Sequence, residues 1–418
     1  MLTGQILLQL IAIIIMVQIC GFLCKRIGQQ WVIGEIIAGL ALGPSFLGAL
    51  LPGIKLFPVS TLPTLQVLGD LGLILYMFSL GSQLDIQMMR RHSRDALLIS
   101  VSGMLVPLGL GALLGFFLYP EFAGTNATSI AFILLVGSAM SVTAFPVLAR
   151  LLTEKRMLGT KIGLLSLTSA SINDVIAWCL LALVVAIIHA QGMMSVLRVI
   201  ALTLVFATVM ILAVRPLLTV AAQRISSKQA MIALSLVILF ISAYTTDAIG
   251  IHPAFGAFLA GIILPRTAVL NEQTQTIEQV NGYIFLPLFF VYSGLQTQIG
   301  LIHSPILWLI CLLVFVVACV GKLAGGLFAT RLTGESWHVA SCVGVLLNTR
   351  GLVELIMLNI GLSLGVLSPV LFTMMVIMAI ATTVMASPLL SLLGYRGSAP
   401  AQTAQQAQET QEVTKQAV

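Results

Sequence analysis

Residues 160–190 read TKIGLLSLTSASINDVIAWCLLALVVAIIHA. A bilayer core needs roughly 20 helical residues, and this run supplies them. Asp174 sits near its middle, with Ser169, Ser171 and Asn173 beside it and VIAWCLLAL (175–183) after it. A charge at that depth costs about 2.5–3.5 kcal/mol even on insertion scales, which makes it a functional candidate by default. Such a carboxylate is neutral when it binds a proton and charged when it holds a cation. One group that must choose between H+ and a metal cation is sufficient for exchange. The alternative is an Asp that only hydrogen-bonds a neighbouring helix.

The rest of the chain is similarly apolar. Of 418 residues, 59% are hydrophobic and 8% are charged, whereas a soluble domain carries about 25% charged residues. That excludes a soluble enzyme, a disordered chain and a disulfide-rich secreted domain. Besides 160–190, the apolar segments are 5–24, 31–50, 63–83, 96–119, 128–152, 195–221, 229–247, 250–264, 279–297, 304–330, 336–362 and 369–393. Barrel strands would be shorter and alternating. The expected fold is therefore an all-α integral membrane protein of thirteen transmembrane helices. Residues 1–395 form the membrane domain and 396–418 a polar, disordered tail. The N-terminus lacks a basic region and a cleavage pattern, so 5–24 reads as a retained helix. No nucleotide-binding segment follows the tail, so ligand gating is not expected. Cys20, Cys24, Cys179, Cys311, Cys319 and Cys342 all lie in apolar runs and read as core residues. No cofactor motif and no basic stripe for nucleic acid is present.

Lys and Arg set the topology. With the N-terminus outside, sixteen of the 20 fall in inside loops, among them Lys25, Arg90, Arg91 and Arg94. Only Lys55 and Arg198 fall outside, and Lys322 and Arg350 lie within apolar segments. An odd number of spans and a cytoplasmic C-terminus follow. The fifth segment carries Pro146 at mid-depth, and the twelfth carries NTRG (348–351) at mid-depth. Each is the middle of a helix triplet, 4–5–6 and 11–12–13. The offset of seven makes the second triplet inverted, the arrangement that marks a transporter site.

Other ionisable groups lie at depth. Lys322 can neutralise a carboxylate, cap broken helix ends or snorkel to an interface. Arg350, inside the second break, can hold freed carbonyls or a carboxylate, and Glu354 at i+4 can simply pair with it. Thr143, Asn348 and Thr349 place hydroxyl and unwound carbonyl oxygens at the breaks, which suits a small hard cation. Glu35 and Asp247 read as helix-end or packing groups ahead of transport residues. Asp70 is unassigned. His252 reads as an interfacial histidine that can also sense pH, and His92 as part of a solvated loop.

Four runs, TAFPVLARLL (143–152), NDVIAWCLLAL (173–183), TDAIGIHPAFGAFLAGIILP (246–265) and NTRGLVELIMLNIG (348–361), resemble the monovalent cation:proton antiporter superfamily. The resemblance is to its second large family, with the plant cation/H+ exchangers and the membrane domain of Kef-type potassium efflux systems. It implies the thirteen-helix sodium/proton antiporter fold with two crossing broken helices. Core helices would lie at about 96–190 and 304–393, and dimerisation helices at about 5–83 and 195–297. It implies a homodimer whose core moves like an elevator. Asp174 would bind the alkali cation and the proton, with Asn173, Thr143 and Ser171 completing the binding set. Pro146, Asn348, Thr349 and Gly351 would belong to the crossing segments. Asn173 stands where electrogenic relatives carry a second Asp, and Lys322 matches the basic residue that pairs with that Asp. Ala144 stands where sodium-specific relatives often have Asp. Ser82 and Gln83, in FSLGSQLD (78–85), replace a usual acid.

The expectation is a secondary active K+ or Na+/H+ antiporter in a cell (inner) membrane, not an enzyme, working one-for-one and electroneutrally. A sodium-coupled organic-anion symporter on the same fold, a gated cation channel and a non-transporting scaffold are the alternatives.

Overall fold

A computed structural model describes residues 2–47, 56–83, 93–158, 160–189, 193–225, 227–265 and 267–394. Lys55, Arg90, Arg91, His92, Arg266, Arg396 and the tail 396–418, with Lys415, lie outside the described residues. Helices run in the order α1 (Leu2–Arg26), α2 (Trp31–Leu42), α3 (Leu62–Gln83), α4 (Ser93–Phe122), α5 (Ser129–Ser141) and α6 (Phe145–Glu154). Next come α7 (Lys161–His189), α8 (Met193–Val209), α9 (Arg215–Arg224), α10 (Lys228–Ile249), α11 (Pro253–Ile262) and α12 (Ala268–Tyr283). The last five are α13 (Phe285–Gln296), α14 (Pro305–Leu332), α15 (Trp337–Leu347), α16 (Leu352–Ser363) and α17 (Pro369–Leu392). Among the described residues, nine stretches are long and apolar enough to cross a membrane, and five shorter apolar helices accompany them.

The helix starts are written in local chemistry. Thr128, Ser304, Ser336 and Ser368 each accept a backbone N–H from three residues on, at 3.3–3.4 Å. These caps satisfy donors that a helix start leaves free. Pro305 and Pro369 follow in the first turn, where a missing N–H does no harm. Further along a helix, proline does do harm. Pro216 would remove the bond to residue 212, and a π-helical turn, Met210–Val214, separates α8 from α9 just before it.

Two groups of helices pack. One contains α4–α7 and α14–α17, with α4 against α5 and α14, and α7 against α15. The other contains α1–α3 and α10–α13. In the second group α3 and α11 nearly touch through glycine. A Cβ on Gly81 would lie 2.2 Å from Phe258 O, and one on Gly261 2.1 Å from Phe78 O. Small residues let backbones approach this closely where lipid supplies no hydrophobic drive between helices. Outside, the 197–224 stretch buries only 6% of its most apolar window, so Leu204, Leu212 and Leu217 face outward, as lipid-facing side chains do.

Two sequence readings need correction. The tenth segment, 279–297, breaks at Ile284 and is preceded by a further helix, α12, whose sequence AVLNEQTQTIEQVNGY shows no apolar run. Partners in the bundle make that helix possible: Gln273 and Ser235 hydrogen-bond, and Asn281 Nδ2 donates to Gly72 O at 2.8 Å. The cysteines are free, but Cys179 is exposed on α7 while the other five are buried.

Candidate functional site

The two broken segments cross. α5 ends at Ser141, the backbone of Val142 and Ala144 is extended, and α6 starts at Phe145 with Pro146 in its first turn. α15 ends at Leu347, and α16 starts after Gly351. Ala144 N donates to Thr349 O at 3.0 Å, and Thr143 Oγ1 donates to Leu347 O at 2.9 Å. Gly351 fits because it has no side chain: a Cβ there would lie 2.9 Å from Val147 Cγ2 and 3.2 Å from Ala144 Cβ. Thr383 of α17 clamps the second break. Its hydroxyl accepts from Arg350 N at 3.1 Å and donates to Arg350 O at 2.9 Å. Four helix ends thus meet at one point, two presenting free carbonyls and two presenting free amides.

Cations take the carbonyl end of α5. Lys322 Nζ donates to Ser141 O and, at 3.1 Å, to Gly103 O. Arg350 donates to Ala139 O at 3.1 Å, to Met140 O at 2.8 Å and to Glu354 Oε1 at 3.3 Å. Positive charge there complements the partial negative charge of the helix C-terminus. Lys322 is 0% exposed, so it does not snorkel, and Arg350 and Glu354 are also buried.

The carboxylate lies at the amide end of α6. Asp174 is 2% exposed, and neither of its oxygens has a hydrogen-bond partner of good geometry. The Phe145 backbone amide and the Lys322 ammonium are the groups that act on it favourably, one a helix N-terminus and the other a full charge. Asn173 is engaged differently: its Oδ1 accepts from Thr143 N at 3.0 Å, tying α7 to the first break. Ser171 spends its proton on Leu167 O of its own helix at 2.9 Å. Asn348 Oδ1 and the Ser169 hydroxyl are buried without a partner. A buried polar atom without a partner costs about 1–3 kcal/mol.

Two cavities lie between the helix groups, at opposite ends. One, of about 810 Å³, is lined by Tyr76, Leu80 and Gln83 at the C-terminal end of α3, by Glu35, and by Phe145, Val147 and Thr153 along α6. It reaches the first break. The other, of about 420 Å³, is lined by Gln66 and Asp70 nearer the start of α3, by His252, and by Asn359 and Ser363 along α16. Between them runs α13, with Phe290 in the wall of the first and Phe289 in the wall of the second.

Of the other residues read from sequence, Asp247 is exposed in the last turn of α10, beside the left-handed Gly250 (φ 97°) that ends it. His252 Nδ1 accepts from Ala254 N at 3.3 Å and so caps α11. Ser82 bonds within α3, and Gln83 donates to Glu278 at 2.7 Å. Sequence reading missed Thr383 and the Phe145 amide. A Thr382–Thr383 pair inside an otherwise apolar run was the available signal for the first. A backbone group leaves none.

The whole span of these features matches one family description, "Sodium/hydrogen exchanger, transmembrane", over residues 11–393. The chain belongs to that family and is a multi-pass membrane protein. It is 42% identical over 393 residues to the Na(+)/H(+) antiporter NhaS4 of Synechocystis sp., covering 92% of this chain and 96% of that one. It is 37% identical to Cation/H(+) antiporter 17 of Arabidopsis thaliana, over 92% of this chain and 48% of that one. It is 34% identical to K(+)/H(+) antiporter 1 of Saccharomyces cerevisiae, over 87% of this chain and 43% of that one. The chain thus spans about half the length of the plant and yeast relatives. The sodium proton antiporter MjNhaP1 of Methanocaldococcus jannaschii has the same fold, with a TM-score of 0.70 at 14% identity over 94% of this chain and 98% of that one.

Proposed function

We propose that the chain is a secondary active antiporter that exchanges H+ for Na+ or K+ at Asp174. The observation that carries this reading is a buried carboxylate, 2% exposed, set where two helix breaks cross and acted on by the Phe145 amide and the Lys322 ammonium. Family membership and the antiporters among the relatives support it. A proton or a cation each neutralises Asp174, and only the neutralised site crosses the apolar barrier. The empty charged site is held back by its desolvation cost. Thr143, Asn348 and the unwound carbonyls supply neutral oxygens to a bound alkali cation.

Asn173 holds the Thr143 amide and carries no proton of its own, so one H+ exchanges for one cation. Lys322 and Arg350 are counter-charges that fix the helix ends, and Glu354 balances Arg350. Residues about 96–190 and 304–393 form the moving core, and the helices at about 5–83 and 195–297 form the scaffold of a homodimer. Pairing α5 with α6, α8 with α9, α12 with α13 and α15 with α16 makes thirteen passages. The protein lies in a cell (inner) membrane, with the N-terminus outside and the C-terminus in the cytoplasm.

The test uses purified protein in liposomes with an acidic interior. Interior pH is followed while Na+, K+, Li+ or choline is added outside, for the wild type and for Asp174→Asn. Dissipation by an alkali cation in the wild type alone supports the reading and ranks the substrates. No response to any alkali cation, or equal activity in the variant, overturns it.

A further inference from the structure

The cavity of about 420 Å³ has a chemistry of its own. Asp70 and Gln66 lie one turn apart on the same face of α3, and both line it with Tyr292, Gln296, Asn359 and His252. Hydrogen bonding fixes which ends of these side chains remain available. Gln296 Nε2 donates to Tyr292 OH at 2.9 Å, and Tyr292 OH donates to Gln66 Oε1 at 3.1 Å. Asn359 Nδ2 donates both to Ser293 Oγ at 2.7 Å and to Leu355 O at 2.8 Å. Both amide protons of Asn359 and one of Gln296 are therefore committed to protein, while the carbonyl oxygens of both residues are left. His252 uses Nδ1 as an acceptor for Ala254 N, which requires that nitrogen to be unprotonated. Among the described residues no Lys or Arg lines the cavity. One carboxylate, two free amide oxygens and no cationic side chain make an environment suited to a hard monovalent cation.

Its position gives that chemistry a use. Asn359, Ile360 and Ser363 lie on α16, which leads from the second break to this end of the bundle, as α6 leads from the first break to the other. We infer that Asp70, with the carbonyl oxygens of Gln296 and Asn359, forms a waiting site where alkali cations collect before they reach Asp174 from this face. The inference rests on the exchange reading above. A single negative charge in a narrow cleft raises the local concentration of every monovalent cation. It acts on Na+, K+ and H+ alike, so it changes the affinity of one face without altering the exchange equilibrium.

The experiment measures exchange in oriented proteoliposomes, varying cation concentration on one side at a time at fixed pH. Wild-type exchange is established first. A silent wild type overturns the exchange reading, whereas this proposal is judged on variants of an active protein. Asp70→Asn is expected to raise the apparent KM for the alkali cation on the cavity face by roughly 3- to 10-fold, with Vmax retained. The apparent proton affinity on that face falls by the same factor, and the opposite face shifts less than twofold. Asp70→Glu restores wild-type values. Gln66→Lys, which sets an ammonium one turn from the carboxylate, shifts KM in the same direction as Asp70→Asn and gives an independent reading should Asp70→Asn fail to fold. Unchanged KM, an equal change on both faces, or loss of Vmax with unchanged KM overturns the proposal.

Discussion

Lys322 and Arg350 hold adjacent carbonyls of one helix end. Lys322 Nζ donates to Ser141 O, and Arg350 Nη2 donates to Met140 O at 2.8 Å. Lys322 comes from the long helix α14, and Arg350 from the break between α15 and α16. Both therefore terminate α5, the broken helix that belongs to the other triplet. The first break is kept open by side chains of the second half of the chain, which couples the two halves electrostatically.

Arg350→Ala is expected to destabilise the protein by about 3–5 kcal/mol, because it strands Glu354 and frees two helix carbonyls. Arg350→Lys recovers little, since an ammonium cannot reach two carbonyls and a carboxylate in the fork geometry of a guanidinium. Arg350→Ala combined with Glu354→Ala should cost less than the sum of the two singles. Unfolding curves in detergent for the four proteins check this, and strict additivity would show that the pair does not interact.

Asp174→Asn should abolish alkali-cation-driven proton flux yet leave the fold at least as stable as the wild type. The substitution removes a buried charge whose oxygens lack a hydrogen bond of good geometry, the Phe145 amide being the backbone donor that acts on it. The expected change is between zero and about 1 kcal/mol of added stability. A melting temperature well below wild type would mean that the carboxylate holds helices together.

Asn173→Asp keeps an oxygen acceptor for Thr143 N and adds a second titratable group beside Asp174. Wild-type protein on a solid-supported membrane is expected to give no steady current during exchange. The variant is expected to give a current that scales with transport, because a second proton enters the cycle. A wild-type current of fixed sign at zero potential would refute one-for-one exchange.

Gly81→Ala and Gly261→Ala each force a Cβ to about 2 Å from a carbonyl oxygen across the α3–α11 contact. Helix separation should cost about 1–3 kcal/mol for each. The pair should be strongly sub-additive, because the first substitution already parts the helices. Thermal melting of both singles and the double tests this.

Hydropathy made the long helices legible because each carries its own apolar run, as 160–190 and 304–330 do. Both breaks were also legible, from Pro146 and from the polar NTRG run. The first opens at 142–144, before the proline, because Pro146 is accommodated in the first turn of α6. Two things were hidden. α12 is stabilised by partners far away in sequence, such as Gly72 for Asn281, and no local pattern encodes those. The surroundings of Asp174 are built in part from backbone: the Phe145 amide, and the carbonyls of Ser141 and Gly103 that position Lys322. Every residue has such groups, so only the fold reveals which ones matter. Lys322 showed in the sequence as a charge at depth, but its choice between a carboxylate and a helix end is decided by where α4 and α5 lie.

Phe289 and Phe290 are consecutive residues, with ring centroids 5.5 Å apart, and each lines a different cavity. Cavities of this size and polarity hold many waters at about 30 Å³ each, so aqueous solution penetrates the bundle from both ends. The membrane voltage then falls across the thin apolar septum between the two cavities instead of across ~30 Å of hydrocarbon. One elementary charge taken through that septum traverses nearly the full potential, about 2.3 kcal/mol per 100 mV. In the exchange proposed above, Asp174 crosses with a proton or a cation and is neutral, so the step moves no net charge through that field, whereas a bare carboxylate would traverse almost all of it.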